Sequence, residues 1–289
     1  MDFEEFLWAN EVPNTAIDLT VKCLCDLKPI PPNINDKFIE LFKIYMIVGG
    51  MPDCVKTYMR TKNFSEVLMT QRNLLRDYEN DIAKYADGNE KVKATACFKS
   101  IPTQLAKDNK KFMYKTIEKN ARSSKYLGSI NWLVDAGIVN IAYNVTRLEK
   151  PLAGFKDEDY FKIYMGDTGL LVAMLDNDTN IQLLNGDIKI YKGAIFENVI
   201  SQILKAIGFP LYFYNRSNSL ELDFLISTKG QLLPLEVKAD NKKAKSLSTI
   251  LSENPNMKGI KLINGNIGVI GNTITLPWYM TAFFGVYLR

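Results

Sequence analysis

The sequence predicts an α/β protein in which a helical N-terminal part precedes a mixed β-sheet. Apolar residues recur at helical spacing in residues 35–48 and 64–86, whereas short apolar runs separated by turn signals fill residues 211–276. With 289 residues, of which 47% are hydrophobic and 24% charged, the chain has the composition of a folded protein with two or three domains.

Residues 1–95 are predicted to form a helical region. Asp2 can cap a first helix, because acidic residues occupy the turn that follows it. The proline-rich stretch 29–34 separates this helix from a second amphipathic helix, which ends at a pair of glycines, and residues 64–86 form a third.

Residues 96–165 have the pattern of a winged helix, with three short helices followed by two strands that a loop connects. The helices are predicted at 97–106, 111–120 and 123–136, and the strands at 138–145 and 160–165.

Positive charge concentrates in this second region, where residues 103–126 hold seven Lys or Arg and two acidic residues. Four of the basic residues recur every three or four positions and so share one face of the predicted middle helix: Lys111, Lys115, Lys119 and Arg122. Such a cluster predicts contacts with the phosphates of nucleic acid. The alternatives are a solvated helix face or a winged helix that contacts only protein.

Residues 166–289 alternate between helix and strand, which predicts a mixed sheet with helices on both faces. Helices are predicted at 193–208 and about 242–252, and strands at 211–215, 220–227, 232–239 and 259–264, with a final hairpin that turns at Gly271 and Asn272.

Carboxylates interrupt the two apolar strands within residues 220–240. A tight turn between these strands places Asp223 directly opposite Glu236, and Glu221 opposite Lys238. Because side chains alternate along a strand, all four lie on one face of the predicted hairpin. The other face is apolar and belongs to the core.

Two directly opposed carboxylates, about 5 Å apart at Cβ, destabilise a strand pair. A divalent cation bound by Asp223 and Glu236 would offset the repulsion, as Mg²⁺ is commonly held by one or two carboxylates. Glu197, on the preceding helix, is expected to point toward the same cluster. The alternative is a simple Glu221–Lys238 ion pair, with Asp223 and Glu236 facing water.

The chain contains no histidine, which excludes Ser-His and Cys-His dyads, histidine general bases and most catalytic zinc sites. Hydrolysis would therefore depend on carboxylates, lysines, hydroxyls and a hard cation. No basic segment followed by an apolar one marks a signal peptide, and no apolar run reaches the roughly 20 residues of a membrane span. We expect a cytoplasmic protein with no membrane partner.

A Glu on the first helix, an Asp on the second strand and Glu-x-Lys on the third strand resemble the PD-(D/E)XK nuclease fold. The resemblance implies that Asp223 and Glu236 are catalytic ligands of Mg²⁺ or Mn²⁺ and that Lys238 positions or activates the attacking water. It also implies that Glu197 is an auxiliary metal ligand. Leu222 departs from the pattern, since the family name implies Pro before the Asp.

A broader resemblance covers nearly the whole chain and joins it to a large prokaryotic family of AAA-type ATPases with a nuclease-like C-terminal domain of unknown function. The similar blocks are "MDFEEFLWA", "GGMPDCV", "YENDIAKYA", "IPTQLAKDNKKFMYKTI", "WLVDAGIV", "KIYMGDTGLL", "KGAIFENVI" and "LEVKA". In that family the first block follows an ATPase core, and "GGMP" resembles the element between the ATPase lid and the winged helix. Residues 1–95 are therefore implied to be lid-like.

The ATPase core itself is missing from the sequence, because no G-x-x-x-x-G-K-[ST] motif occurs in it. We therefore expect no ATP site and no ATP hydrolysis by this chain alone. The resemblance implies either the C-terminal half of a longer protein or a naturally truncated relative. An ATPase core, in cis or in trans, is the implied partner.

Two functions follow as hypotheses. The first is a Mg²⁺-dependent nuclease that cleaves phosphodiester bonds while the winged helix holds the nucleic acid. The second is a catalytically inactive regulatory module, in which the nuclease-like sheet is a scaffold and the chain binds DNA, another protein or its own ATPase core.

Overall fold

The structure, a computed structural model, divides the chain into two compact units. Unit 1 consists of residues 1–45, 143–157 and 203–289, and unit 2 of residues 46–142 and 158–202. Each of the three regions predicted from the sequence is therefore shared between both units, and that division into domains stays a prediction. The residues that the structure describes are 1–85, 88–107, 109–176, 178–185, 192–217, 220–228, 230–239 and 243–288.

The first half of the chain is mainly helical and the second half combines helices with strands, which confirms the predicted α/β class. The α-helices of the described residues are α1 (Phe3–Ala9), α2 (Asn14–Asp26), α3 (Pro32–Val48), α4 (Pro52–Thr61), α5 (Phe64–Tyr85), α6 (Gly88–Leu105), α7 (Ser123–Asp135), α8 (Thr168–Ala173), α9 (Thr179–Asn185), α10 (Lys192–Ala206), α11 (Lys245–Glu253) and α12 (Phe284–Tyr287). Within these residues, no helix has the length and apolar character that crossing a membrane requires.

The strands form two sheets of mixed parallel and antiparallel pairing. They are β1 (Val139–Val145), β2 (Lys156–Met165), β3 (Tyr212–Ser217), β4 (Leu220–Leu222), β5 (Phe224–Ser227), β6 (Leu232–Val237), β7 (Gly259–Ile263), β8 (Gly268–Ile270) and β9 (Thr273–Pro277). One sheet has the order β2-β1-β3-β4 and the other the order β5-β6-β7-β9-β8. In the second sheet β6, β7 and β9 are parallel, whereas β5 and β8 are antiparallel to their neighbours.

The N-terminus of unit 1 is fixed by the cap that the sequence predicts. Asp2 Oδ1 accepts the Glu5 N–H at 2.9 Å, and Glu5 Oε2 accepts the Asp2 N–H at 2.8 Å, which is a capping box. Behind the cap, the Phe3 ring lies 5.1 Å from the ring of Phe42 and 5.5 Å from that of Tyr45, both on α3. The cap therefore starts α1 at the residue that packs into the aromatic core.

The hairpin of β5 and β6 has the predicted register. Phe224 pairs with Leu235 and Ser227 with Leu232, and every residue of β6 is buried. The apolar residues of α11 pack with those of β4 in one cluster that contains Leu247, Ile250, Leu251, Leu220 and Leu222. This packing fixes the position of α11 in unit 1.

The predicted middle helix at residues 111–120 is wrong. Only a 3-10 turn forms there, at Tyr114–Thr116, and Met113 before it is extended, with φ −114° and ψ 105°. Tertiary contacts within unit 2 hold this stretch away from a helical conformation. The Phe112 N–H donates to the Phe161 carbonyl at 2.8 Å, and the Met113 N–H donates to Gln104 Oε1 at 3.0 Å. The Phe112 ring also stacks on Phe161, with centroids 5.5 Å apart.

The segment that follows α3 turns around a buried carboxylate of unit 2. Gly49 has φ +75°, and Asp167 Oδ2 accepts the N–H of the next residue, Gly50, at 2.6 Å. A Cβ at Gly49 would lie 2.2 Å from Asp167 Oδ1. Burial raises the pKa of Asp167, against the lowering effect of its backbone donors. Glycine is therefore required at position 49 by both the backbone angle and the available space.

Candidate functional site

The strand predicted at residues 220–227 is divided at Asp223, and its two parts belong to different sheets. β4 ends at Leu222 and pairs with β3, whereas β5 begins at Phe224 and pairs with β6. The predicted pairing of Glu221 with Lys238 is therefore wrong. Glu221 lies opposite Asn215 of β3, whose Nδ2 donates to Glu221 Oε2 at 2.6 Å.

Asp223 is held at the end of β6 by its side chain. Its Oδ2 accepts the N–H of Val237, the last residue of β6, at 2.7 Å. Asp side chains readily take backbone donors in this way, and they are unfavourable inside a regular ladder. The carboxylate of Asp223 therefore reaches the part of the chain that lies between Glu236 and Lys238.

Glu236 is buried, at 3% residue exposure, and each of its carboxylate oxygens has a partner. Oε1 lies 2.6 Å from Lys238 Nζ, and Oε2 accepts the Leu247 N–H at 2.8 Å. A buried carboxylate is tolerated only when it is paired and hydrogen-bonded. Lys238, whose side chain is 28% exposed, neutralises it and extends to the surface.

The Leu247 N–H belongs to the first turn of α11, where amides lack partners within the helix. The residue before this helix, Ala244, makes no side-chain cap. Glu236 supplies the missing acceptor from the neighbouring strand, and its negative charge is favourable at a helix N-terminus. Sequence reasoning missed this contact, because the helix was predicted to begin at about residue 242 and its pattern contains no information about an acceptor on a strand.

The site lies where three parallel strands end together. Val237 of β6 pairs with Leu262 of β7, which pairs with Leu276 of β9. Glu236, Lys238 and the contact made by Asp223 all lie at this edge. The carboxyl ends of parallel strands are where α/β proteins commonly bind their ligands.

The chemistry of these side chains fits a divalent cation that keeps most of its coordination for water or substrate. Carboxylate oxygens are the ligands that Mg²⁺ prefers, and the ammonium of Lys238 at 2.6 Å from Glu236 marks a position for positive charge. Among the described residues, no three His, Cys, Asp or Glu side chains converge into a metal cage. Two carboxylates, Asp223 and Glu236, are thus the candidate ligands.

Glu197 lies in unit 2, whereas Asp223 and Glu236 lie in unit 1. Its side chain is 6% exposed and pairs with Lys110 and, at 3.6 Å, with the fully buried Lys162. Tyr164 also donates to it, at 3.1 Å. Burial favours a raised pKa for Glu197, but Lys110 and then Lys162 outweigh it, and the pKa lies well below its usual range.

These contacts make Glu197 the centre of a buried ion-pair cluster, and its role as an auxiliary metal ligand stays a prediction. Periodicity suggested that Glu197 faces inward on α10, and it is buried. Helical periodicity contains no information about its lysine partners, Lys110 and Lys162, because they come from distant parts of the chain.

The four basic residues predicted to bind nucleic acid do not share a helical face, because the helix that would align them is absent. The ammonium of Lys111 lies 4.3 Å from the centre of the Tyr160 ring, in cation–π contact. Lys115, Lys119 and Arg122 are exposed. Their contact with nucleic acid stays a prediction, now from an irregular segment.

Lys107 extends this basic segment and was not singled out from the sequence. Its Nζ donates to Thr116 Oγ1, and its pKa is lowered, first by burial and then by the charge of Lys115. Two neighbouring ammonium groups that repel each other gain stability from an anion such as a phosphate. The spacing of the two lysines in the sequence did not reveal this proximity.

Two parts of the chain are similar to known families. Residues 39–180 match a domain of unknown function, DUF8612, and residues 192–277 match a second domain of unknown function, DUF4143. The second is a domain found in AAA-ATPase-associated proteins, in agreement with the resemblance of the eight sequence blocks. The chain matches no curated protein and no solved structure. The nuclease-like character of the C-terminal part stays a prediction.

Proposed function

We propose that Asp223, Glu236 and Lys238 form a metal-dependent centre for the hydrolysis of phosphodiester bonds in nucleic acid. The observation that carries this proposal is the ion pair of the buried Glu236 with Lys238, together with the hydrogen bond that Asp223 accepts from the amide of the intervening residue, Val237. The three groups are the D…E-x-K set of the nuclease resemblance. They lie together at the carboxyl edge of the sheet.

Each side chain has a separate role in this proposal. Asp223 and Glu236 would hold Mg²⁺ or Mn²⁺, which supplies a Lewis acid and lowers the pKa of a bound water. Lys238 donates hydrogen bonds to the attacking water and balances the charge that develops on the phosphate. The Leu247 N–H keeps the carboxylate of Glu236 in one orientation, so that little reorganisation is needed when substrate binds.

The basic segment would bind the phosphate backbone of nucleic acid. Lys111, Lys115, Lys119 and Arg122 would contact phosphates without reading the sequence, so this binding should weaken steeply as salt increases. The ATPase core implied by the family resemblance remains the proposed protein partner, in cis or in trans.

The test is incubation of the protein with linear, supercoiled and single-stranded DNA in the presence of Mg²⁺ or Mn²⁺. Asp223→Asn, Glu236→Gln and Lys238→Ala should each lower the cleavage rate by about 100-fold or more, since each removes a group that acts on the transition state. Glu253→Gln is the matched control, because its carboxylate pairs only at the surface, with Arg216. Cleavage that survives in the site variants would show that another centre, or a contaminant, is responsible.

A second candidate function is regulatory binding without catalysis, and the ion pair and the hydrogen bond of Glu236 favour it. Lys238 and Leu247 together satisfy both oxygens of this carboxylate, so that it does not need a metal ion. In that case Mg²⁺ would leave the melting temperature unchanged. If the cation binds the folded state, the melting temperature rises with its concentration, and Asp223→Asn and Glu236→Gln abolish the rise.

A further inference from the structure

The backbone of Lys238 is anchored on both sides just after β6 ends. Its N–H donates to the carbonyl of Leu262 in β7 at 2.9 Å. Its carbonyl accepts the indole N–H of Trp278 at 2.8 Å. These two bonds keep Lys238 in line with the sheet for one residue beyond the last residue of β6, Val237.

Trp278 is suited to hold this position because it is itself buried. It is 1% exposed and follows β9 directly, at the start of a 3-10 helix that ends at Phe283. The preceding residue, Pro277, pairs with Ile263 at the end of β7. The indole therefore belongs to the same edge of the sheet as the Glu236–Lys238 pair.

We infer that Trp278 is a positioning residue for Lys238, an inference that rests on the proposed function for its catalytic consequence. The indole N–H fixes the carbonyl of Lys238, and this fixes the direction in which its side chain leaves the backbone. The ammonium then lies on Glu236 Oε1 instead of moving freely in solvent. In the proposed reaction, the same restraint would keep the ammonium at the attacking water.

The test compares Trp278→Phe with Tyr279→Phe. The first change removes the indole N–H and keeps an aromatic ring. The second removes a buried hydrogen bond of the same length, from Tyr279 Oη to Asn35 Oδ1 at 2.8 Å, in the adjacent residue. Trp278→Phe should lose more stability than Tyr279→Phe, because the smaller ring also leaves a cavity at this buried position. Labelling is therefore measured well below the melting temperature of each variant, so that a difference at Lys238 reports positioning and not general loosening of the fold.

The first readout is the rate at which an amine-reactive reagent labels Lys238, measured by mass spectrometry, with the exposed Lys258 as internal reference. Trp278→Phe should raise this rate about fivefold, the effect expected when one hydrogen bond is lost. Tyr279→Phe should leave it unchanged. Equal rates at Lys238 in the two variants and the native protein would overturn the inference. If Trp278→Phe does not fold, Trp278→Tyr replaces it, since Tyr also lacks the indole donor.

The second readout is the dependence of the melting temperature on Mn²⁺ in the same three proteins. Trp278→Phe should strengthen the apparent affinity for Mn²⁺ about fivefold relative to Tyr279→Phe, because an ammonium that leaves Glu236 Oε1 no longer competes with the cation. If native protein does not respond to Mn²⁺, the proposed function fails, while the labelling rate still decides whether Trp278 positions Lys238. If native protein responds and both variants match it in affinity and in labelling, the role of Trp278 alone is refuted.

Discussion

Replacing Lys238 by Met tests how strongly the site depends on its ion pair. Met keeps an unbranched side chain and removes the ammonium that lies 2.6 Å from Glu236 Oε1. The Glu236 side chain is only 4% exposed, so water has little access to replace the lost charge. Breaking a buried pair costs about 3–5 kcal/mol. Because Lys238 is itself 28% exposed, we expect a loss near the low end, about 3 kcal/mol.

The assay is urea unfolding of a double-mutant cycle that contains Lys238→Met, Glu236→Gln and the double variant. The double variant should be more stable than Lys238→Met alone by about 1–2 kcal/mol, because the buried carboxylate is no longer left without its cation. Arg216→Met is the matched control, since the Arg216–Glu253 pair has a similar distance of 2.7 Å but lies at the surface. Its loss should be about 1 kcal/mol or less.

The same unfolding experiment is repeated with a divalent cation, which tests whether a metal ion binds Glu236. Under the proposed function, millimolar Mn²⁺ should restore part of the stability of Lys238→Met, because it replaces the missing positive charge. It should not stabilise the double variant, which lacks the Glu236 carboxylate. The reasoning is refuted if Lys238→Met loses no more stability than Arg216→Met, since Glu236 would then not need the ammonium.

Two further predictions concern unit 2. The pKa of Glu197 is lowered in the folded protein, so its stabilisation is complete above its unfolded pKa, about 4.3, and is lost as the pH falls through the folded pKa. The loss in free energy of unfolding caused by Glu197→Gln should therefore be largest near neutral pH, as measured by urea unfolding at several pH values. A loss that stays the same in acid would contradict this prediction. Gly49→Ala should cost about 3 kcal/mol or prevent folding, because its Cβ would meet Asp167. Gly137 has a similar φ of +70°, but a Cβ there would meet no heavy atom of the described residues within 4 Å, apart from its chain neighbours. Gly137→Ala should therefore cost only about 1–2 kcal/mol in thermal unfolding.

Local patterns were enough to predict the register of the β5–β6 hairpin and the cap of α1. Both depend on residues that are close in the sequence. The hairpin register follows from the alternation of apolar and polar side chains and from a tight turn, and the cap of α1 follows from an Asp that precedes acidic residues. The division of the strand at Asp223 could not be read in this way, because Leu222 and Phe224 continue the apolar alternation across it. At this division, the side chain of Asp223 accepts a hydrogen bond from the N–H of Val237 in β6.

Long-range contacts account for the other differences between the sequence prediction and the structure. The pattern at residues 111–120 favoured a helix, but the pairing of Phe112 with Phe161 outweighed this local preference. The E-x-K spacing predicted that Glu236 and Lys238 share a face, and they form an ion pair. The spacing contained no information about Leu247 or Trp278, which reach the site from later elements.

The contact between Glu236 and α11 has a consequence beyond the site itself. The carboxylate of Glu236 has two partners: the ammonium of Lys238 at Oε1 and the backbone N–H of Leu247 at Oε2. If a bound cation shifts Glu236 even slightly, its hydrogen bond with the Leu247 N–H lengthens and the first turn of α11 opens more readily. The rate of amide hydrogen exchange in the first turn of α11 would then increase when a cation binds Glu236, so exchange in this helix would report binding at the edge of the sheet.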